Sequence, residues 1–179
     1  MRDLLKKIIL IALIIISVCT IYIYYPRTVD RNFQGLIYRL GTDNVGSEKQ
    51  INIIVKGKMY RSLSLSKRFK GTIECEGYEI PIPKDYNLDI FFYKSNSGYI
   101  YYNIDQGLSL DITFGRIYIN KDFSKFTIAV IEYTDESRRA GGWSGEDGLM
   151  ITAPCTSRSE ALDISNELMK DSLNGFVLN

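Results

Sequence analysis

The chain has 179 residues, 45% hydrophobic and 24% charged, with a formal net charge of +1 and no histidine. That length suits one domain, and a charge near zero gives no sign of nucleic acid binding. Without histidine, Ser-His-Asp catalysis, Cys-His catalysis and histidine-containing zinc sites are excluded. We identify no catalytic residue, and we expect neither a metal nor a cofactor.

The N-terminal segment predicts a membrane anchor. Residues 8–25 carry no charge, and at about 1.5 Å of rise per residue a helix of this length nearly crosses a hydrocarbon core of about 30 Å. Arg2, Lys6 and Lys7 precede it, so the positive-inside tendency favours a cytoplasmic N-terminus and a C-terminal domain outside the membrane. An interfacial group of tyrosines and a helix-ending proline close the segment: Tyr22, Tyr24, Tyr25 and Pro26.

Other interpretations of this segment stay open. Arg27 and Arg31 lie just beyond it and weaken the orientation rule. A cleaved signal peptide has a similar start, although no convincing small-x-small cleavage site follows. A lipoprotein would need a small residue before its modified cysteine, whereas Val18 precedes Cys19. A buried helix of a soluble protein is the last alternative, but a helix that is apolar on all sides seldom fits so small a domain.

The predicted organisation is a cytoplasmic start at 1–7, an anchor at 8–25, a stalk at 26–35 and an extracytoplasmic domain at 36–179. The domain is expected to be β-rich and mainly antiparallel, with one C-terminal packing helix, which places the fold in the α+β class. The helix is predicted from a capping box, Ser157 to Glu160, and should end at Gly175.

Short runs separated by turn residues predict the strands. A turn is expected at Lys56-Gly57-Lys58 and a hairpin turn at Glu76-Gly77. The run 125–134 has apolar residues on both faces, which indicates a central strand. The remaining predicted strands are 51–55, 59–66, 71–75, 78–82, 88–94, 98–104, 116–120 and 149–153.

The glycine-rich segment 138–148 is the first candidate binding site. Its glycines allow backbone N–H groups to face a ligand, and two arginines could hold a carboxylate or phosphate. Its tryptophan could stack on a sugar or anchor a protein contact. The alternative is a plain surface loop. The candidate residues are Arg138, Arg139, Trp143, Glu146 and Asp147.

A tyrosine stripe is the second candidate. Alternation along the run 98–104 places Tyr99 and Tyr101 on one face and Ile100, Tyr102 and Ile104 on the other. An exposed pair of tyrosines can bind a glycan or a protein. Ordinary strand propensity is the alternative explanation of these aromatics.

Acidic, basic and thiol groups give weaker signals. No spacing singles out an acid–base pair among Asp105, Asp111, Glu132, Asp135, Glu146 and Asp147. The basic clusters Lys67-Arg68-Lys70 and Arg138-Arg139 suit solvated turns, or anionic headgroups if the domain lies close to a bilayer. Cys75 and Cys155 are a candidate disulfide in an oxidising compartment, or else two small buried side chains.

These observations favour a membrane-anchored extracytoplasmic domain, a non-enzymatic component of the cell envelope that binds another protein there. A cell-wall or glycan-binding domain that uses Trp143 and the tyrosines is the alternative. A hydrolase with paired carboxylates is a weaker one. The expected partners are the lipid bilayer, through residues 8–25, and an envelope protein or glycan; no nucleic acid partner is expected.

Overall fold

The computed structural model describes residues 2–62, 66–78, 80–83, 86–92, 96–103, 112–134 and 140–179, with the backbone alone at positions 3, 5, 19 and 23. Two helices flank a set of antiparallel strands, in agreement with the α+β prediction. The helices are α1 (Arg2–Tyr24) and α2 (Arg158–Leu173). The strands are β1 (Arg27–Arg39), β2 (Lys49–Arg61), β3 (Lys67–Glu76), β4 (Leu88–Phe92), β5 (Ser97–Tyr102), β6 (Ile112–Ile119), β7 (Phe126–Val130), β8 (Glu132–Tyr133), β9 (Gly141–Gly142) and β10 (Leu149–Ala153).

The first helix, α1, is a 23-residue element with an apolar surface. Its described leucine, isoleucine and valine side chains are between 52% and 65% exposed: Leu4, Ile8, Ile9, Leu10, Ile11, Leu13, Ile14, Ile15, Ile16, Val18 and Ile21. Over the residues that the structure describes, no helix is both long and apolar enough to qualify as a membrane span. The predicted helix is therefore present, but its role as a transmembrane span is not supported by this finding.

The segment predicted to be a stalk, 26–35, instead lies almost entirely in β1, a strand of 13 residues. Its partner β2 has the same length, and the two pair antiparallel from Arg27 opposite Met59 to Ile37 opposite Lys49. Val29 and Phe33, which lie on the same face of this strand, are buried in the core. The charged residues between them hid this strand from the sequence pattern.

The eight main strands follow the order β4-β3-β2-β1-β10-β7-β6-β5, and every pairing is antiparallel. The two edge strands approach each other closely, since a Cβ placed on Gly98 of β5 would lie 2.5 Å from the carbonyl oxygen of Phe91 in β4. The sheet therefore curls into a nearly closed barrel. β8 and β9 form a separate two-stranded ribbon.

Three of the predicted turns and strands are corrected by the structure. Lys56-Gly57-Lys58 is not a turn, because β2 runs straight through it and Gly57 pairs with Gly71 of β3. The two glycines let the strands approach, since a Cβ on Gly57 would lie 2.3 Å from the Lys70 carbonyl oxygen. β3 pairs with β2 and β4, and the described residues of 78–82 form no strand. The predicted strand 59–66 breaks after Arg61, and its residues 63–65 lie outside the described part.

Other predictions are confirmed. β6 and β7 form an antiparallel hairpin that contains most of the predicted strands 116–120 and 125–134. β7 is buried at every position and lies between β6 and β10, as the apolar pattern of 125–134 indicates. β10 and α2 also lie where the sequence predicts them, and Ser157 caps α2 by accepting a hydrogen bond from the Glu160 N–H. In a full capping box the Glu160 carboxylate would accept a hydrogen bond from the Ser157 N–H. Here it accepts one from the N–H of Thr156, at 2.8 Å.

The barrel interior is filled by side chains. Phe123, in the turn after β6, points into it and makes edge-on contacts with Phe69, Phe92 and Phe126, with ring centroids 5.4, 6.4 and 5.8 Å away. It holds this position with a φ of +59°, which is rare for a bulky residue. The interior is therefore a packed core, and ligand sites have to be sought at the barrel ends and on its outer surface.

A second core layer lies between α2 and the outer face of β1, β7 and β10. Apolar side chains such as Leu36, Met150 and Met169 surround a buried hydroxyl cluster here. The cluster comprises Tyr38, Thr127, Thr152 and Ser165, each at most 1% exposed. The Ser165 hydroxyl lies 2.9 Å from those of Tyr38 and Thr127 and 3.0 Å from that of Thr152.

Candidate functional site

Exposed aromatic side chains on the outer surface of β4 and β5 form one patch. Phe91 is 50% exposed, Tyr99 39% and Tyr101 45%. Strand alternation produces the patch, because Ile100 and Tyr102 of β5 point into the barrel, where each is 1% exposed. The structure thus places Tyr99 and Tyr101 as the sequence pattern predicts, while Ile104 lies outside the described residues.

Arginines from the neighbouring strands cover these rings. The guanidinium carbon of Arg68 lies 4.3 Å from the Phe91 ring centroid, and that of Arg116 lies 5.5 Å from the centroid of Tyr99. Both contacts follow from the strand register, which pairs Arg68 with Phe91 and Arg116 with Tyr99. We call this surface the aromatic–arginine face: Arg68, Phe91, Tyr99, Tyr101 and Arg116.

Hydrogen bonds fix the two arginines. Arg68 forms a forked ion pair with Asp89, and this interaction lowers the pKa of the Asp89 carboxyl below its usual range. Arg116 donates to the Ser97 hydroxyl at 2.8 Å, and its guanidinium carbon also lies 5.1 Å from the Tyr118 ring centroid. The face is therefore preorganised, which reduces the entropy lost when a partner binds.

The glycine-rich segment does not form a comparable surface in the described residues. Arg138 and Arg139 lie outside them. Trp143 is half-buried and packs against the cluster beneath α2, while Glu146 and Asp147 are exposed. Trp143, the predicted sugar-stacking residue, is thus partly covered by contacts within the protein.

The candidate acid–base residues are only partly described, since Asp105, Asp111 and Asp135 lie outside the described ranges. Glu132 accepts a forked pair of hydrogen bonds from Arg39, which also donates to the Asp147 carbonyl oxygen at 2.9 Å. The described residues hold no group of acidic or thiol side chains suited to a metal ion.

A pocket of about 260 Å³ opens at the barrel end farthest from α1. Glu132 is the only carboxylate among the described residues that line it, and the rest of that lining is mainly apolar or aromatic. Burial raises the pKa of the Tyr78 hydroxyl there, and the nearby charge of Glu132 adds to the effect. A glycosidase mechanism needs two carboxyl groups, and the described lining supplies one.

The two cysteines outside α1 are free thiols on different sides of the sheet. Cys75 packs against the barrel core and Cys155 belongs to the layer under α2. Burial raises the pKa of Cys75 to about 12 and that of Cys155 to about 11. The disulfide considered from the sequence is not formed, and these thiols resemble inert structural cysteines.

No known protein family, curated protein or solved structure matches this chain. The site is therefore judged on its geometry. The sequence pattern singled out Tyr99 and Tyr101, placed Arg68 only in a basic cluster and missed Arg116. Arg116 is the one charged residue of β6, but that signal does not tell which strands become neighbours.

Proposed function

We propose that the protein is a membrane-anchored, extracytoplasmic and non-enzymatic binding module of the cell envelope, held in the lipid bilayer by α1. The observation that carries this proposal is the exposed apolar surface of α1. Consecutive exposed positions such as Ile8 to Ile11 cover all sides of a helix. Removing a large apolar side chain from water contributes about 1.5–3 kcal/mol, and lipid can supply that environment. The cations Arg2, Lys6 and Lys7 before the apolar stretch favour a cytoplasmic N-terminus.

Carbonate extraction of membranes tests the anchor. The native chain should remain in the membrane pellet, whereas Ile11→Lys combined with Ile15→Lys should shift it to the supernatant, since each lysine near a span centre costs about 2.5–3.5 kcal/mol. Val45→Lys is the control, because Val45 is an apolar residue outside α1, in the connection between β1 and β2, and is 67% exposed. Release of the native chain by carbonate would contradict the anchor.

Protease treatment of intact cells tests the orientation. A barrel outside the cytoplasm should be cleaved at exposed sites while the cells stay sealed. Complete protection in intact cells, followed by cleavage after lysis, would place the barrel on the other side of the membrane and contradict the proposal.

The aromatic–arginine face supports binding of another envelope protein as the role of the barrel. Tyrosine and arginine are enriched among residues that dominate protein interfaces, and an exposed aromatic patch with a charged rim is typical of a contact surface. The face suits a partner with apolar side chains at its centre and a carboxylate opposite Arg116, since Arg68 already pairs with Asp89. Glycan binding is the second candidate, favoured by the exposed Tyr99 and Tyr101 and weakened by the packing of Trp143 against the α2 layer.

Site-specific photo-crosslinking in intact cells distinguishes these candidates. A photoreactive phenylalanine at position 91 or 101 should give the same discrete protein adduct, and Arg116→Ala should reduce its yield. The same group at Lys56, an exposed position of β2, should not give it.

Retention on isolated cell-wall material is the other arm of this test. Retention that is lost in Tyr99→Ala with Tyr101→Ala, without a protein adduct from positions 91 and 101, would favour the glycan. If neither the adduct nor retention depends on these residues, the aromatic–arginine face is not the binding surface.

A further inference from the structure

The barrel end next to α1 contains a cavity with a cationic lining, which we call the basic mouth. Its volume is about 180 Å³, roughly that of six liquid waters at about 30 Å³ each. Several separate segments contribute to it, namely β1, β2, β3 and the turn between β6 and β7. Its cations are Arg27, Arg31, Arg61, Lys67 and Lys121.

Four of these cations occupy strand positions whose alternation points toward the barrel axis. Residues two apart share a face of a strand, and each of the four lies two residues from a side chain buried in the core. Arg27 and Arg31 flank Val29, Arg61 follows Met59, and Lys67 precedes Phe69. The cations therefore continue the core face at the point where the barrel opens, and Val29, Met59 and Phe123 also line the cavity.

The positive charge of the basic mouth is only partly compensated within the described residues, by the charge of Asp122 near Arg31 and Lys67. None of its five cations forms an ion pair there; the ion pairs of the described part involve other lysines and arginines. Asp122 is the only carboxylate in the described lining, and it accepts a hydrogen bond from the Ser124 hydroxyl at 2.9 Å.

Lys67 shows the effect of this crowding of like charges. Its ammonium group donates to the Asn96 side-chain oxygen at 2.9 Å and to the Lys121 carbonyl oxygen at 3.1 Å. Burial lowers the pKa of Lys67, and the neighbouring charges of Arg61 and Lys121 lower it further. An anion bound in the basic mouth would raise the pKa of Lys67 and so oppose the effect of those like charges.

We propose that the basic mouth binds a phosphate group, and that an anionic phospholipid headgroup supplies it. Arginine pairs hold phosphate oxygens in forked geometry, and the cavity suits a group of that size. Arg61 and Lys67 are half-buried, and a cation that is partly removed from water is costly without an anion. Phosphate chemistry is common to lipid headgroups and to free phosphate, so the test has to separate the two sources.

The position of α1 favours the lipid. Arg27 of the basic mouth also lines a groove with Val18, Ile21, Tyr22 and Tyr25 at the end of α1. If α1 lies in a bilayer, the mouth faces the headgroup layer, where anionic lipid attracts lysine and arginine side chains. The choice of lipid as the source rests on the proposed anchor, whereas the phosphate site itself does not.

Thermal unfolding of the full chain in neutral detergent micelles provides the test. The single tryptophan, Trp143, packs in the α2 layer and reports unfolding. A ligand that binds the folded state raises the melting temperature. Inorganic phosphate, phosphatidylglycerol and phosphatidylcholine are titrated in turn, and phosphatidylglycerol should bind at the lowest concentration.

Paired variants assign the effect to the mouth. Arg31→Gln with Arg61→Gln should weaken phosphatidylglycerol binding at least about tenfold, since two of the five cations that attract the headgroup are lost. Arg31→Lys with Arg61→Lys keeps the charge but loses the forked hydrogen bonds, so it should weaken binding less than the arginine-to-glutamine pair does. Lys56→Gln with Lys58→Gln removes the same charge from exposed positions of β2 and should have little effect.

The outcomes separate the lipid, the free anion and failure. Binding of inorganic phosphate that depends on Arg31 and Arg61, with no preference for phosphatidylglycerol over phosphatidylcholine, would keep the site and assign it to a soluble anion. Equal losses in the arginine-to-glutamine and lysine-to-glutamine variants, or no binding of any of the three ligands, would overturn the site. Release of the native chain by carbonate would contradict the anchor and, with it, the choice of lipid as the source of the phosphate. The titration with inorganic phosphate would still test the phosphate site.

Discussion

The buried hydroxyl cluster shows how single polar residues fasten α2 to the barrel. Ser165 is the only helix residue in the cluster, and its hydroxyl lies within 3.0 Å of Tyr38, Thr127 and Thr152, on three different strands. These side chains hold a polar network inside an apolar layer. Removing a partner from such a network leaves the remaining groups buried with fewer hydrogen bonds.

Ser165→Ala is therefore expected to lower the free energy of unfolding by about 1–3 kcal/mol. Ser159→Ala is the matched control, because Ser159 lies on the same helix with an exposed side chain, and its change should stay within about 0.5 kcal/mol. Urea unfolding followed by Trp143 fluorescence measures both. Equal stability of the two variants would show that the network contributes little to the attachment of α2.

The cap of α2 is an element-scale feature with a pH dependence. The Glu160 carboxylate accepts hydrogen bonds from the N–H of Thr156 at 2.8 Å and from its hydroxyl at 3.0 Å. The backbone bond is the larger cause, and together they lower the pKa of Glu160 below its usual value of 4.5. The folded state therefore binds this proton less readily than the unfolded state. The stability that this provides is present above pH 4.5 and is lost as the pH falls through the lower folded pKa.

Glu160→Gln should consequently flatten the acid side of the stability profile. The native chain is expected to lose more of its melting temperature between pH 6 and pH 3 than Glu160→Gln does. Asp163→Asn removes the same charge from an exposed position of α2 and should keep the native slope. Parallel melting curves for the native chain and Glu160→Gln would mean that this cap does not couple folding to protonation.

At the scale of elements, the sequence predicts correctly the features that depend on neighbours in the chain. It predicts wrongly the features that depend on residues distant in the chain. The capping box predicted α2, and the apolar run on both faces predicted the central position of β7, because both patterns depend on neighbours in the chain. The prediction of a turn at Gly57 is wrong, because this glycine lets β2 approach Gly71 of β3, which is its partner across the strand pair. The strand β1 was missed because Arg27 and Arg31 occupy inward positions near an open end of the barrel.

At the scale of the whole molecule, the candidate surfaces arise from closure of the sheet. Closure brings β4 beside β5 and so unites Phe91 with Tyr99 and Tyr101. It also brings Lys121, in the turn between β6 and β7, beside the cations of the neighbouring strands β1, β2 and β3. No run in the sequence contains either group, which is why sequence analysis identified the tyrosines but neither complete surface. The aromatic–arginine face and the basic mouth therefore depend on one architectural feature, the contact between the two edge strands.

Gly98 is the residue on which that contact depends. A Cβ at this position would lie 2.5 Å from the Phe91 carbonyl oxygen and 2.8 Å from a methyl carbon of Ile90, so β5 could not stay where it is. Gly98→Ala should therefore separate the edges, lower the free energy of unfolding by about 1–3 kcal/mol, and expose unpaired strand edges that promote self-association.

Gly142→Ala makes the same substitution where a Cβ meets nothing within 4 Å. It should therefore leave the free energy of unfolding and the state of association unchanged. Chemical denaturation and light scattering in the same detergent compare the two variants. If Gly98→Ala is as stable and as monodisperse as Gly142→Ala, the edges of the barrel do not depend on this close approach. The two surfaces would then need another reason for lying together.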